Sequence, residues 1–143
     1  MTPRFHVAAG ILRDPAGRIL ITERLCDGPF NGLWEFPGGK IVTGETPLRA
    51  LQRELVEELG VNVTEAKPFM DLQHEYPDRR VRLEFFEVLA WIGEPRGLEG
   101  QQIRWVSVTE LDATVLLPAD APVVEALQRL EQRRVRGMSH RAS

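Results

Sequence analysis

Glu54, Glu57 and Glu58 stand at i, i+3 and i+4, a spacing that gathers side chains onto one arc roughly 100° wide on an α-helix. Like charges so placed repel by roughly 0.2–0.5 kcal/mol per pair. In the C-terminal half of a helix the macrodipole opposes them as well. A run of glutamates is most often a solvated face. Three oxygen ligands on one rigid ridge also suit a hard cation such as Mg²⁺, with Mn²⁺ able to substitute, and a bound triphosphate would complete its coordination. Arg53 can fix a neighbouring carboxylate by a forked hydrogen bond and keep it ionised, or be an ordinary surface arginine. Glu45 can reach Arg53 or the ridge, or simply place negative charge before a helix N-terminus.

The rest of the composition narrows the chemistry. The 143 residues, 43% hydrophobic and 27% charged, fit one globular domain that needs neither disulfide nor metal merely to fold. Cys26 is the only cysteine, which excludes an intramolecular disulfide and a Cys-rich zinc site and fits a reducing, cytoplasmic setting. No apolar run approaches the ~20 residues of a membrane span, and residues 1–6 carry no signal-peptide core. A soluble, unprocessed protein that binds no membrane is expected. The net charge of −3 argues against a surface gripping a nucleic-acid polymer. His6, His74 and His140 lack metal-ligand spacing and receive no role.

The elements that must position the ridge can be read around it. Residues 5–13 and 18–25 flank an Asp14-Pro15-Ala16-Gly17 turn and read as strand, turn, strand. Thr46-Pro47 forms an N-cap signal and Gly60 a C-terminal stop, predicting a helix over 47–59 with Leu48, Leu51, Leu55 and Leu59 as its packing stripe. Residues 69–76 and 81–91 read as a hairpin around Pro77-Asp78-Arg79-Arg80, and 103–106 as a short strand before a helical turn at 107–111. Val123, Val124, Leu127 and Leu130 predict an amphipathic helix beginning near Asp120 or Pro122. The domain is expected to span 1–132, with a frayed basic tail over 133–143. Trp34, Trp91 and Trp105 read as core or sheet-face residues. Together these give an α/β fold with a mixed sheet between helices.

Gly39, Glu45, Arg53-Glu54-Leu55, Glu57-Glu58 and Gly60-Val61 resemble the Nudix box at each of its fixed positions over 23 residues. The likeness extends over about residues 5–130, to a MutT-type branch of that family. It includes Trp34-Glu35-Phe36-Pro37-Gly38-Gly39-Lys40, Tyr76-Pro77-Asp78-Arg79, Glu99-Gly100-Gln101 and the stretch from Leu117 to Val123. The resemblance implies a Nudix α/β/α sandwich and an Mg²⁺-dependent hydrolase acting on a small nucleoside triphosphate, here 8-oxo-dGTP, to give the monophosphate and pyrophosphate. Such an enzyme cleanses the nucleotide pool of a mutagenic precursor. By the same likeness the Gly38 carbonyl, Glu54, Glu57, Glu58 and Glu99 would hold the metal. Glu54 or Glu99 would take the proton from water, with Arg53 orienting Glu54. Arg24 and Lys40 would meet phosphates, with Asp78 and Arg79 of the hairpin also on the substrate side. A monomer is expected.

Asp120 departs from the pattern, since MutT-type enzymes read the oxidised guanine through an asparagine that both accepts and donates. An ionised aspartate cannot donate, and protonating one of ordinary pKa at pH 7 costs on the order of 4 kcal/mol unless desolvation offsets it. A carboxylate could instead accept from two donors on a guanine edge or from the amine of cytosine, which keeps a CTP or dCTP-type, or oxidised pyrimidine, substrate open. Asp120 can equally be a cap for the last helix. Phe30 and Tyr76 are candidates to line a base pocket, simple packing being the plainer role. A non-catalytic nucleotide-binding Nudix regulator is the rival of another class. A Ca²⁺ module is set aside for want of an EF-hand loop.

Overall fold

The computed structural model describes residues 4–28, 30–112 and 114–142, with side chains described as far as Gly137. The elements run β1 (Arg4–Leu12), β2 (Ile19–Glu23), β3 (Trp34–Glu35), β4 (Gly38–Lys40), α1 (Pro47–Leu59), β5 (Asn62–Tyr76), β6 (Arg79–Ile92), β7 (Ile103–Val106) and α2 (Ala121–Ala142). Two 3₁₀ turns, Val108–Glu110 and Pro118–Asp120, precede α2. One sheet has the order β4-β1-β6-β5 and a smaller one the order β3-β2-β7. The larger sheet is mixed: β1 pairs parallel with β6 and antiparallel with β4.

β1 explains the layering. Its alternate residues enter different cores, as expected for a strand covered on both faces. Ala8 and Leu12 join Leu51, Leu55, Leu59 and Val88 under α1. Ala9 and Ile11 join Phe36, Phe85, Val123 and Leu127 under α2. The result is the expected mixed sheet between helices. Gly10 permits close helix packing, because a Cβ there would lie 3.2–3.3 Å from Val88 and Leu51 side-chain atoms.

α1 begins and ends where its sequence says. Thr46 accepts a hydrogen bond from the Arg49 N–H, Pro47 occupies the first turn, and Gly60 takes the left-handed conformation at φ 71° that glycine adopts at low cost. The packing stripe differs from expectation at one end. Ala50, Leu51, Leu55 and Leu59 are buried, whereas Leu48 in the first turn is 36% exposed, because the buried cluster begins only at Ala50. Leu130 is likewise 45% exposed, since no described residue of α2 after Leu127 is buried. α2 itself continues to Ala142, so the basic segment expected to fray is helical there, with Arg134 paired to Glu131. The His140 side chain and Ser143 lie outside the described residues.

β5 starts earlier than its sequence suggests, because Glu65, Lys67 and Pro68 disguise its first half. It lies at the sheet edge and is bulged beside Pro68, the setting in which a strand tolerates proline. The hairpin closes with Tyr76 opposite Arg79, so the turn is shorter than the four residues expected. Among the described residues no helix is long and apolar enough to cross a membrane.

Replacing Leu55 by alanine is expected to cost about 2–5 kcal/mol of unfolding free energy, whereas Leu48→Ala costs under about 1 kcal/mol. Urea denaturation of the two variants checks this; equal losses would contradict the placement of the α1 core.

Candidate active site

α1 packs its leucines inward and thereby turns Glu54 and Glu58 toward β4. Contact is close: a Cβ on Gly39 would overlap the Glu54 carboxyl, so glycine is required for that carboxyl to lie against the strand. Arg53 ties the helix to the preceding loop. Its Nε and Nη2 donate to the two oxygens of Glu45 at 2.7 and 2.9 Å, Nη1 donates to Glu54 at 2.8 Å, and Nη2 also donates to the Lys40 carbonyl at 3.0 Å. The Arg53 hydrogen bonds, with help from the Val42 N–H, hold the Glu45 carboxyl down at about 2. Glu45 therefore reaches the ridge through Arg53.

The three ridge acids point to different partners. Glu54 faces Arg53, Glu57 is 54% exposed with a long 3.5 Å contact to Arg53, and Glu58 accepts from the Gly38 N–H at 3.3 Å. Among the described residues no three acidic side chains converge into a ready coordination shell. Glu58 nevertheless stands apart electrostatically. Burial pushes its carboxyl up to about 8, and the charges of Glu54, Glu35 and Glu99 push in the same direction. An oxygen-only donor set with surplus negative charge fits a hard divalent ion, with Glu54, Glu57, Glu58, Glu99 and the Gly38 carbonyl as the residues available to hold it.

A cleft of about 260 Å³ opens beside this ridge, lined among others by Phe30, Phe36, Tyr76, Arg79 and Asp120. Phe30 and Tyr76 stand 5.1 Å apart between ring centroids, and Lys40 Nζ lies 4.2 Å above the Phe5 ring at the cleft. The Tyr76 hydroxyl accepts from the Ala119 N–H at 3.2 Å and so ties the hairpin to the turn that carries Asp120. A second hollow, lined by Glu23, Cys26, Glu99 and Gln101, shares Arg24, Glu35 and Glu58 with the first. The aromatic cleft and the acid ridge are thus contiguous.

Asp120 is 2% exposed, and its Oδ2 has no hydrogen-bond partner among the described residues. Burial raises its pKa well above the carboxylate range, and the Glu35 charge adds to that, against the Phe36 N–H and Arg24. The carboxyl lies against Phe36 in the cleft wall. Two further buried donors, the Nε atoms of Arg24 and Arg79, also lack hydrogen-bond partners among the described residues, Arg79 Nε having only a 3.6 Å ion-pair contact with Asp78.

Most residues singled out from sequence come together here, but Asp78 does not: it sits in the hairpin turn, 74% exposed and paired with Arg79, outside the cleft lining. His6 pairs with Glu84 and His74 packs on Tyr76. Glu35 was missed. It binds Arg24 at 3.2 Å, and burial raises its pKa. An acid between Trp34 and Phe36, in a short apolar segment, was the signal that could have revealed it.

With a core between helices and an acid ridge knotted by Arg53 against a glycine-bearing strand, the chain belongs to the NUDIX domain family, whose profile matches residues 8–126. It is similar to the 8-oxo-dGTP diphosphatase of Escherichia coli, with 43% identity over 89% of this chain and 98% of that protein. It is also similar to the CTP pyrophosphohydrolase of the same organism, with 38% identity over 90% of this chain and 93% of the other. A solved MutT structure, from work on the Aliivibrio salmonicida and Vibrio cholerae proteins, superposes with a TM-score of 0.73 at 38% identity, over 87% of this chain and 96% of that one.

Because folded Glu58 holds its proton up to about pH 8 against an ordinary 4.5, its contribution to stability is full below about pH 4.5 and is lost as pH rises through 8. In chelator, the melting temperature is expected to fall between pH 5 and 8, and Glu58→Gln to flatten part of that fall. Parallel melting curves for the two proteins would show that Glu58 is not the strained group.

Proposed function

We propose that this protein is an Mg²⁺-dependent hydrolase that converts 8-oxo-dGTP to 8-oxo-dGMP and pyrophosphate in the cytoplasm, removing a mutagenic precursor from the nucleotide pool. Similarity to 8-oxo-dGTP diphosphatases over nearly the whole chain supports the reaction. The observation that carries the base preference is Asp120. A buried carboxyl that stays neutral offers one O–H donor and one carbonyl acceptor, the same pair that an asparagine amide presents to the N7–H and O6 of the oxidised guanine. An ionised Asp120 would favour the exocyclic amine of cytosine and a CTP-type substrate, and the lack of compensating partners at Oδ2 weighs against it.

The remaining chemistry follows from position and charge. Phosphoryl transfer asks chiefly for alignment and neutralisation of the phosphate oxygens. The divalent ion, typical of the family, supplies that neutralisation and lowers the pKa of the attacking water. Water adds as the anhydride bond between the α- and β-phosphates breaks, and a carboxylate accepts its proton. Arg53 anchors one oxygen of Glu54 at 2.8 Å and leaves the other to act as that base. Glu58, Glu57, the Gly38 carbonyl and Glu99, with Glu54, would hold the ion. Arg24, Arg79 and Lys40 face the cleft and would meet the phosphates, while Phe30 and Tyr76 flank the base. The retained acids set the chain apart from a non-catalytic nucleotide-binding regulator, which has no need of them.

Glu54→Gln is expected to lower kcat by several orders of magnitude while the fold survives; near-normal turnover would refute its role. A kcat/KM panel over 8-oxo-dGTP, dGTP, CTP and dCTP tests the substrate. Asp120→Asn should raise the ratio of 8-oxo-dGTP to CTP use and remove the loss of 8-oxo-dGTP activity expected as rising pH ionises Asp120. An unchanged ratio and pH profile would mean that Asp120 does not read the base.

A further inference from the structure

We propose that Gln101 is a positioning residue that clasps the Glu99 loop to the C-terminal end of α1, setting the distance between Glu99 and the acid ridge; this rests on the reading of Glu99 as a ligand in the hydrolase proposed above. The last carbonyls of a helix lack intrahelical donors and must find partners outside it. Here they find them in one loop. The Glu58 carbonyl accepts from Gln101 Nε2 and from the Leu98 N–H, each at 3.0 Å, and the Leu59 carbonyl accepts from the Arg96 N–H at 3.0 Å.

The same glutamine turns its other end to the loop. Gln101 Oε1 accepts from the Glu99 N–H at 2.9 Å, so a single amide group bridges the backbone of one candidate metal ligand and the backbone of another. An amide does this at any pH, since one end accepts from N–H and the other donates to C=O, whereas a carboxylate cannot donate. The loop is shaped to allow it. Gly100, between Glu99 and Gln101, has φ +85°, and a Cβ on Gly97 would overlap the Gln101 carbonyl. Glu99, though exposed on its loop, is held near enough for its charge to act on Glu58. Gln101 lines the hollow shared by Glu58 and Glu99 yet offers the ion no carboxylate. Its effect is exerted through Glu99.

The test compares wild type, Gln101→Met, Glu99→Gln and the double variant on 8-oxo-dGTP, together with amide hydrogen exchange of metal-free protein. A glutamate of misplaced backbone loses about 10–100-fold in kcat. Gln101→Met should therefore show that loss, a KM for nucleotide within about threefold of wild type, and about a tenfold higher Mg²⁺ concentration for half activation. In the Glu99→Gln background the same substitution should change kcat less than about twofold, because the two act as a unit. Multiplying effects, or a lowered melting temperature with kcat and the Mg²⁺ requirement unchanged, would overturn the proposal and leave Gln101 as loop packing. Gln101→Glu, which keeps the acceptor and the length but faces the Glu58 carbonyl with a carboxylate, should be no better than methionine; wild-type kinetics there would also overturn it. In wild type the Glu99 amide should be protected from exchange, and Gln101→Met should remove that protection. A Glu99 amide that exchanges freely in wild type refutes the clasp even if a variant fails to fold. Should wild type hydrolyse no nucleotide, the functional reading falls, and the exchange result still decides the clasp.

Discussion

The structure depends on how surplus carboxylate charge is held at the edge of a low-dielectric core. Glu45, Glu54 and Glu57 surround Arg53, and Glu35 pairs with Arg24, whose charge also acts on Asp120, while Glu58 has a single backbone N–H. Each guanidinium offers several donors in a fixed plane and so can serve several acids at once. Arg53 places each of its three nitrogens in hydrogen bonds, close to Glu45 and Glu54 and long to Glu57. Arg24 does not, and the difference separates the two ends of the site. Around Arg53 the charges are satisfied and the geometry is rigid. Around Glu58 and Asp120 they are left over, which leaves one group suited to a cation and the other to a neutral, hydrogen-bonding role. Such strained groups in a cleft are what a site of chemistry looks like, and an ordinary solvated face would show none of them.

The scaffold holds this imbalance in place by local devices that need no charge. The Thr46 cap, Pro47 and the left-handed Gly60 set the length of α1, and its leucines fix its rotation about its axis. Gly10 and Gly39 bring helix and strand close enough that Glu54 lies directly on β4. Rotation of α1 by one residue would carry the ridge about 100° round the axis and away from the cleft. The hydrophobic core therefore specifies the electrostatics, although none of its members is polar.

What could be read from sequence follows from the range of the interactions involved. The limits of α1, the ridge, the hairpin and the 3₁₀ turn at 108–110 are set by residues within a few positions of one another, and periodicity and capping expose them. Leu48 and Leu130 share the correct helical angle with buried neighbours but lie where no layer covers them, which angle alone does not register. The first half of β5 was hidden because an edge strand tolerates Pro68. Glu35, placed 11 residues from Arg24, and Gln101, placed 43 from Glu58, gain meaning only when the fold brings them to their partners. Asp78 shows the converse, since a place in a familiar motif did not bring its side chain into the cleft.

Asp120 joins the two halves of the site in a way that sequence could only pose as a conflict. An aspartate of ordinary pKa would be ionised at pH 7 and unable to donate. Desolvation opposes that ionisation, and Glu35 reinforces it, while Arg24 and the Phe36 N–H act the other way. Arg24 also lines the hollow that holds Glu58 and Glu99, where a polyphosphate would lie. Negative charge arriving beside Arg24 weakens its pull on the Asp120 proton, since a phosphate competes for the same cation. In the proposed complex, then, seating the polyphosphate favours the neutral acid that reads the base. On that proposal phosphate and base recognition would be coupled through Arg24, and a substitution at Asp120 would have to be read together with the charges at the opposite end of the nucleotide.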